Sequence, residues 1–130
     1  MPQQKFATAI NCMDGRTQLP VINWLREHYQ VDAVDLITEP GPNKILAANT
    51  DRAAVESIRR RTAISARHHA SRVIAIAGHQ DCAGNPANQE TQTRHTQAAL
   101  KTVADWNFNL PLIGLWVNEN WQVQEVHPAG

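Results

Sequence analysis

Residues 73–77 read Val-Ile-Ala-Ile-Ala, an apolar run in which no polar side chain alternates with the apolar ones. Such a run is typical of a central parallel strand that helices cover on both faces. Other apolar runs with strand character alternate with helical patterns along the chain, which indicates βαβ units. We therefore predict one three-layer α/β domain over residues 1–130. It has a mainly parallel sheet of four strands plus an antiparallel edge strand, with helices on both faces.

Apolar spacing, capping residues and helix breakers place the individual elements. Strands are predicted at residues 6–10, 33–38, 73–77, 112–117 and 121–126, the last as the antiparallel edge after a hairpin loop. Helices are predicted at about 20–28, 50–69 and 89–104. Pro20 is expected in the first turn of the first helix, and Asn49, Thr50 or Asp51 is expected to cap the second. Residues 39–43 contain two prolines and a glycine, so we predict a loop there.

The composition argues against several classes of partner. Twelve basic and twelve acidic side chains cancel, which gives no electrostatic reason to expect nucleic acid or an anionic membrane. No apolar run approaches the roughly 20 residues that span a bilayer. The polar start, residues 1–5, does not resemble a secretory leader. We therefore expect a cytoplasmic location in which the two cysteines stay reduced.

Each cysteine lies in a short polar cluster directly after a predicted strand. The first cluster is Cys12-Met13-Asp14-Gly15-Arg16 and the second is His79-Gln80-Asp81-Cys82. If their strands are neighbours where the strand order reverses, both clusters meet at the sheet edge where open α/β folds bind ligands. Two thiolates and one imidazole leave one position of a tetrahedron open, as in catalytic zinc sites. The residues alone leave two alternatives open: inert buried cysteines and a redox pair.

The first cluster also contains a carboxylate and a guanidinium, those of Asp14 and Arg16. A carboxylate two residues from a thiolate ligand can reach the same ion and close the site. Arg16 can instead hold that carboxylate in a bidentate pair and leave the fourth position to water. The alternative is a surface ion pair of little energetic value. Only three residues separate Cys12 from Arg16, too few for the phosphate-binding loop of a cysteine phosphatase, and the sequence has no glycine-rich P-loop.

The remaining histidines and the tryptophans give weaker signals. The histidines show no convergent spacing, so we expect exposed side chains or cations at helix carboxyl ends, at His28, His68, His69, His95 and His127. We expect the tryptophans to pack in the core or at an interface, at Trp24, Trp106, Trp116 and Trp121. Asp81 either supports a neighbouring ligand or is solvated, and we favour the solvated state.

Together, the two clusters resemble the signature of the β-class carbonic anhydrases: C-x-D-x-R after strand one and H-x-x-C after a central strand. The likeness extends over about residues 6–126. The resemblance implies Zn2+ bound by Cys12, His79 and Cys82, with Asp14 and Arg16 as a catalytic dyad. Asp14 would either pair with Arg16 beside zinc-bound water or bind zinc itself in a closed, inactive form. The resemblance also implies a small-molecule substrate and a homodimer or dimer of dimers, with active sites near the subunit interface.

The sequence also departs from that family. Strand one begins almost at once, where members usually carry an amino-terminal helical arm. Residues 38–43, Thr-Glu-Pro-Gly-Pro-Asn, stand where an Arg-Asn-Ala-Gly turn usually shapes the pocket, and Gly15 stands where serine is common. The main hypothesis is reversible hydration of carbon dioxide to bicarbonate by zinc-bound hydroxide. The alternatives are a zinc hydrolase of a related small electrophile, carbonyl sulfide or carbon disulfide, and a non-catalytic zinc-stabilised binding protein.

Overall fold

The computed structural model of the chain describes residues 4–128. Strands and helices alternate through most of this range, as the sequence pattern predicts. In chain order the elements are β1 (Phe6–Cys12), α1 (Gly15–Tyr29), β2 (Ala33–Glu39), α2 (Pro42–Ala48), α3 (Arg52–His68), β3 (Ile74–His79), α4 (Gln89–Ala104), β4 (Leu112–Val117) and β5 (Val123–Val126). None of the helices described is long and apolar enough to cross a membrane.

The five strands form one sheet in the order β2-β1-β3-β4-β5. The pairs β1–β2, β1–β3 and β3–β4 are parallel, and β4–β5 is antiparallel. This confirms the predicted mainly parallel sheet with an antiparallel edge. It also confirms that the first and third strands are neighbours at the point where the strand order reverses. Their carboxyl ends therefore lie side by side, as a ligand site of an open α/β sheet requires.

Side chains on alternate positions of β3 enter two separate cores. Ala75 and Ala77 face α1 in a core that includes Val21 and Leu25. Isoleucines face the opposite side, where they pack with apolar residues from the other three helices: Ile74 and Ile76 with Leu46, Val55, Ile58, Ala99, Leu100 and Val103. Burying a Val, Leu or Ile side chain contributes about 1.5–3 kcal/mol. The helices thus cover both faces, which confirms the three layers.

Local capping explains where most helices begin. The side chain of Asp51 accepts a hydrogen bond from the amide of Ala54 at the start of α3. Asn88 does the same for Thr91 at the start of α4. These helices match their predicted ranges to within a residue or two, and β4 matches in full. A capping side chain satisfies an amide that the helix itself leaves unbonded, so the signal is strong in the sequence.

Two predictions around proline are wrong in part. Pro20 does not lie in the first turn, because Asp14 caps α1 and the helix begins at Gly15. Pro20 therefore lies in the interior of α1. Because proline has no backbone N–H, the helix lacks one hydrogen bond to the preceding turn there. The predicted loop at 39–43 is confined to its middle: Glu39 still belongs to β2, and Pro42 is the first residue of α2. Proline suits that first position because its missing N–H would have had no partner there.

Three strand ends also differ from the predictions by two residues. β1 and β3 each run two residues further than predicted and so include Cys12 and His79. β5 begins at Val123, because Trp121 adopts a left-handed turn conformation with φ of 58°. The strands thus carry two of the site residues on regular, fixed backbone.

Candidate metal centre

Three predicted site residues come together at the carboxyl edge of the sheet. Cys12 is the last residue of β1, His79 is the last residue of β3, and Cys82 lies in the loop that follows. Their ligand atoms lie within 4.8 Å of one another, and the two Sγ atoms are 3.8 Å apart. All three side chains are buried. Among residues 4–128, this is the group of His, Cys, Asp or Glu side chains with a geometry that can hold a metal ion.

The ring of His79 is oriented for a ligand. Nδ1 lies 2.8 Å from the carbonyl oxygen of Gln80 and donates a proton to it, which leaves the lone pair on Nε2. Nε2 is buried and has no hydrogen-bond partner. A buried polar atom without a partner is rare in proteins, and here it belongs to the cluster that contains two thiols. A carbonyl that fixes the tautomer is the usual arrangement behind a metal-binding histidine, so these residues fit a zinc ion.

The pKa values of the two thiols shift in opposite directions when no metal ion lies between them. A hydrogen bond from Cys82, followed by the proximity of the His79 side chain, lowers the pKa of Cys12 to about 3, although burial acts in the opposite direction. The same bond, together with burial, raises the pKa of Cys82. Burial lowers the pKa of His79, and the neighbouring Cys12 side chain together with the hydrogen bond to the Gln80 carbonyl outweighs that effect and raises it overall.

Backbone groups favour the thiolate form of both cysteines. Those of Gly41 and Asp14 lower the pKa of Cys12, and those of Gly84 and Asn85 lower that of Cys82. Zinc binds thiolates rather than thiols. The surrounding backbone therefore favours the charge state that a metal ion requires.

Asp14 and Arg16 form the bidentate pair that the sequence analysis weighed. Arg16 Nε lies 3.0 Å from Asp14 Oδ1, and Nη2 lies 2.6 Å from Oδ2. The hydrogen bond from this guanidinium is the main reason that the pKa of Asp14 falls to about 2. The Asp14 side chain also accepts the Arg16 amide and so caps α1. Of the two arrangements considered for Asp14, the structure contains the one paired with Arg16.

Two further residues hold Arg16. The carboxylate and the backbone carbonyl of Asp81 lie 3.3 and 3.2 Å from its Nη atoms. The ring of Trp121 lies 4.7 Å from Cζ on another side. Asp81 is exposed, as favoured, but it also pairs with Arg16. Position 81 within the H-x-x-C cluster was a signal for this contact, whereas nothing near Trp121 in the sequence indicates one.

The other aromatic predictions have mixed outcomes. Trp116 is buried, and the other three tryptophans pack against the two cores, as expected. Four of the histidines are exposed, as expected: His28, His68, His69 and His127. The prediction for His95 is wrong, because it lies in the middle of α4, half-buried, with Nδ1 3.0 Å from Asn85 Nδ2. Burial, followed by the charges of Lys44 and Arg94, lowers the pKa of His95.

Sequence reasoning missed a buried amide, Gln92, beneath the site. Gln92 is fully buried and its side chain bonds the backbone of His79. A signal existed: Gln92 precedes Thr96, Ala99 and Val103 on the inward face of α4. A glutamine on such a face must find partners for its amide, which marks it as part of a polar network.

Comparisons with known proteins relate the chain to one family. The family model described as "Putative carbonic anhydrase" matches residues 2–127. No curated protein matches the chain. A β-carbonic anhydrase, isoform I of the protozoan Trichomonas vaginalis, has a TM-score of 0.66 at 15% identity, covering 99% of this chain and 85% of that one. The apo form of a carbon disulfide hydrolase has a TM-score of 0.65 at 9% identity, covering 99% and 82%.

A tetrameric β-carbonic anhydrase is also similar. This enzyme, from the filamentous ascomycete Sordaria macrospora, has a TM-score of 0.53 at 12% identity, covering 96% of this chain and 82% of that one. At such identities, the solved structures establish a common fold.

Proposed function

Because the chain belongs to the carbonic anhydrase family, we propose that it is a zinc enzyme that interconverts carbon dioxide and bicarbonate. One observation carries the proposal. The buried Cys12, His79 and Cys82 side chains converge with a free His79 Nε2, and the Asp14–Arg16 pair directly follows Cys12 at the same sheet edge.

The three side chains of the cluster supply donor atoms and negative charge that suit Zn2+. Cys12 Sγ, His79 Nε2 and Cys82 Sγ would hold Zn2+, and two thiolates would cancel its formal charge. When bound, zinc supplies a Lewis acid and lowers the pKa of water from about 15.7 to about 7. Because an ion held by two thiolates is less electrophilic than one held by three histidines, the orientation of the attacking water gains importance.

Asp14 would provide that orientation. With a pKa of about 2, its carboxylate is ionised at neutral pH, so it accepts a hydrogen bond and does not act as a general base. Asp14 Oδ1 accepts both the Arg16 amide and Nε, whereas Oδ2 accepts Nη2 and would offer its other lone pair to a water molecule. Asp81 and Trp121 restrain Arg16, so the direction of the Asp14 carboxylate is fixed before substrate arrives.

A second candidate substrate is carbon disulfide or carbonyl sulfide. The similarity to a carbon disulfide hydrolase and the changed turn at 38–43 favour it. Part of that turn serves the interior: Asn43 is buried and bonds Thr96, and Gly41 packs against Gly84. A fourth metal position filled by Asp14 at every pH would support a non-catalytic binding protein, and the pairing of Asp14 with Arg16 does not favour it.

We also propose the assembly and location that the sequence suggests. A homodimer, or a dimer of dimers, is supported by the exposed apolar side chains of Met13 and Leu19, 63% and 67% accessible, close to the metal centre in the chain. The tetrameric fungal enzyme is a further precedent. We place the protein in the cytoplasm because the centre needs reduced cysteines. We treat residues 1–130 as one domain because all five strands belong to one sheet.

Stopped-flow kinetics on zinc-loaded protein tests the proposal. We expect carbon dioxide hydration above the buffer rate between pH 6.5 and 9, and loss of that rate in Cys12→Ser. Sulfide release from carbon disulfide or carbonyl sulfide, without carbon dioxide turnover, would transfer the function to the second candidate. No turnover of any of these substrates by protein that carries stoichiometric zinc would reject both.

A further inference from the structure

One metal-site cysteine lies on backbone without regular structure. Cys82 belongs to residues 80–88, here called the Cys82 loop, which connects β3 to α4. Cys12 and His79, by contrast, end strands whose neighbours in the sheet fix their backbones. Zinc–sulfur and zinc–nitrogen distances vary little, at about 2.3 and 2.0–2.1 Å. Something other than the sheet must therefore hold Cys82 at the correct distance from His79.

Gln92 makes the contacts that would do so. Its Nε2 atom donates towards three carbonyl oxygens, those of His79 at 2.8 Å, Asn85 at 3.0 Å and Ala87 at 3.1 Å. Its Oε1 atom accepts from the His79 amide at 3.3 Å. His79 precedes Cys82 in the chain, and Asn85 and Ala87 follow it. One side-chain amide thus connects the backbone on both sides of the cysteine.

The amide is itself held rigidly. Asn43 Nδ2 lies 3.4 Å from Gln92 Oε1 and 3.2 Å from Thr96 Oγ1. Asn43 Oδ1 accepts from Asn85 Nδ2 at 3.2 Å, so α2 joins the same network. The space is tight: a Cβ at Gly78 would lie 2.7 Å from Asn43 Nδ2 and 2.8 Å from Gln92 Oε1. The Gln92 and Asn43 amides therefore pack directly against the backbone of β3 at Gly78.

We propose that Gln92 is a positioning residue of the metal centre, which sets the separation of His79 and Cys82 through the backbone of the Cys82 loop. The inference rests on the metal-binding part of the proposed function. Residues that orient metal ligands usually change metal affinity 10–100-fold when they are replaced. A residue that only stabilises the fold would change the unfolding of the metal-free protein and leave the geometry of the bound ion as it was.

The test compares Gln92→Met with Thr102→Val. Methionine keeps the length of the side chain and removes the amide. Thr102 also lies on α4 and also bonds α2, through Oγ1 to the Leu46 carbonyl at 2.8 Å, but the hydrogen bonds of its side chain do not reach the Cys82 loop. Zinc affinity is measured by competition with a chromophoric chelator, the ligand field by the visible spectrum of the Co2+ form, and stability by denaturation of metal-free protein.

We expect Gln92→Met to bind zinc about 10–100-fold more weakly and to shift the Co2+ bands, whereas Thr102→Val leaves both unchanged. Gln92→Asn withdraws the amide by one methylene and should change both quantities in the same direction, so a misfolded methionine variant does not end the test. Wild-type zinc affinity and Co2+ bands in both Gln92 variants would overturn the inference, as would an equal loss in Thr102→Val. Absence of zinc binding by the wild type would instead refute the proposed function.

Discussion

Replacing Gly41 by alanine should displace the Cys82 loop. Gly41 has a left-handed backbone with φ of 62°, and an added Cβ would lie 2.8 Å from the carbonyl carbon and 2.9 Å from the oxygen of Gly84. The left-handed conformation costs a residue with a Cβ about 1–2 kcal/mol, and overpacking costs about 1–3 kcal/mol. We therefore expect Gly41→Ala to lower the free energy of unfolding by about 2–5 kcal/mol. Denaturant titration of the metal-free protein measures this change.

Gly15→Ala is the matched control for that substitution. A Cβ at Gly15 would meet nothing within 4 Å, and the residue lies at the start of α1, where alanine is a good helix former. We expect Gly15→Ala to change the free energy of unfolding by less than about 1 kcal/mol. Equal denaturation midpoints for the two variants would refute the argument that close contact between Gly41 and Gly84 holds the loop.

Four other changes test individual roles. Cys12→Ser should lose zinc and with it part of the folding energy, and full zinc occupancy by elemental analysis would show that the ligand is misassigned. Asp14→Ala should keep zinc but lower turnover in stopped-flow assays, and unchanged turnover would exclude an orienting role. Trp121→Leu removes a cation–π contact of about 0.5–1 kcal/mol, so turnover should fall about two- to fivefold. A lower mass by light scattering, with unchanged turnover, would instead assign Trp121 to an interface. Folding lowers the pKa of His95 below its ordinary value of about 6.5. As the pH falls below about 6.5, the His95 ring therefore takes up a proton more readily in the unfolded chain, and the free energy of unfolding decreases. His95→Gln should flatten that part of the stability profile, and an unchanged slope would contradict the assignment.

Local signals in the sequence were sufficient for much of the fold. The apolar run of β3 predicted a covered central strand, and Asp51 was among the expected caps of α3. These signals depend on residues that are close together in the chain, so each can be interpreted without knowing which distant segments it contacts in the fold. The convergence of Cys12, His79 and Cys82 also followed, because it needs only the neighbouring placement of two parallel strands.

Contacts that join distant segments were beyond such reasoning. Trp121 covers Arg16 because the β4–β5 turn lies close to the start of α1. The spacing of apolar residues in the sequence does not predict such a contact. His95 was expected to be exposed, since the burial of its ring depends on Asn85 in another segment. The interior position of Pro20 was missed for a different reason: a capping side chain six residues earlier decided where the helix starts.

The unequal side chains on the two faces of β3 have a mechanistic consequence. Ala9, Ala75 and Ala77 belong to the core that packs against α1, and their small side chains let the helix lie close to the sheet there. The first turn of α1 carries the Asp14–Arg16 pair, whereas Cys12 and His79 belong to the strands themselves. A slightly larger residue at one of these alanine positions would lift the helix and move the carboxylate away from the two cysteines and the histidine. Substitutions in the apolar interior can thus adjust the distance between the Asp14 carboxylate and the Cys12–His79–Cys82 cluster, while the side chains of the site stay the same.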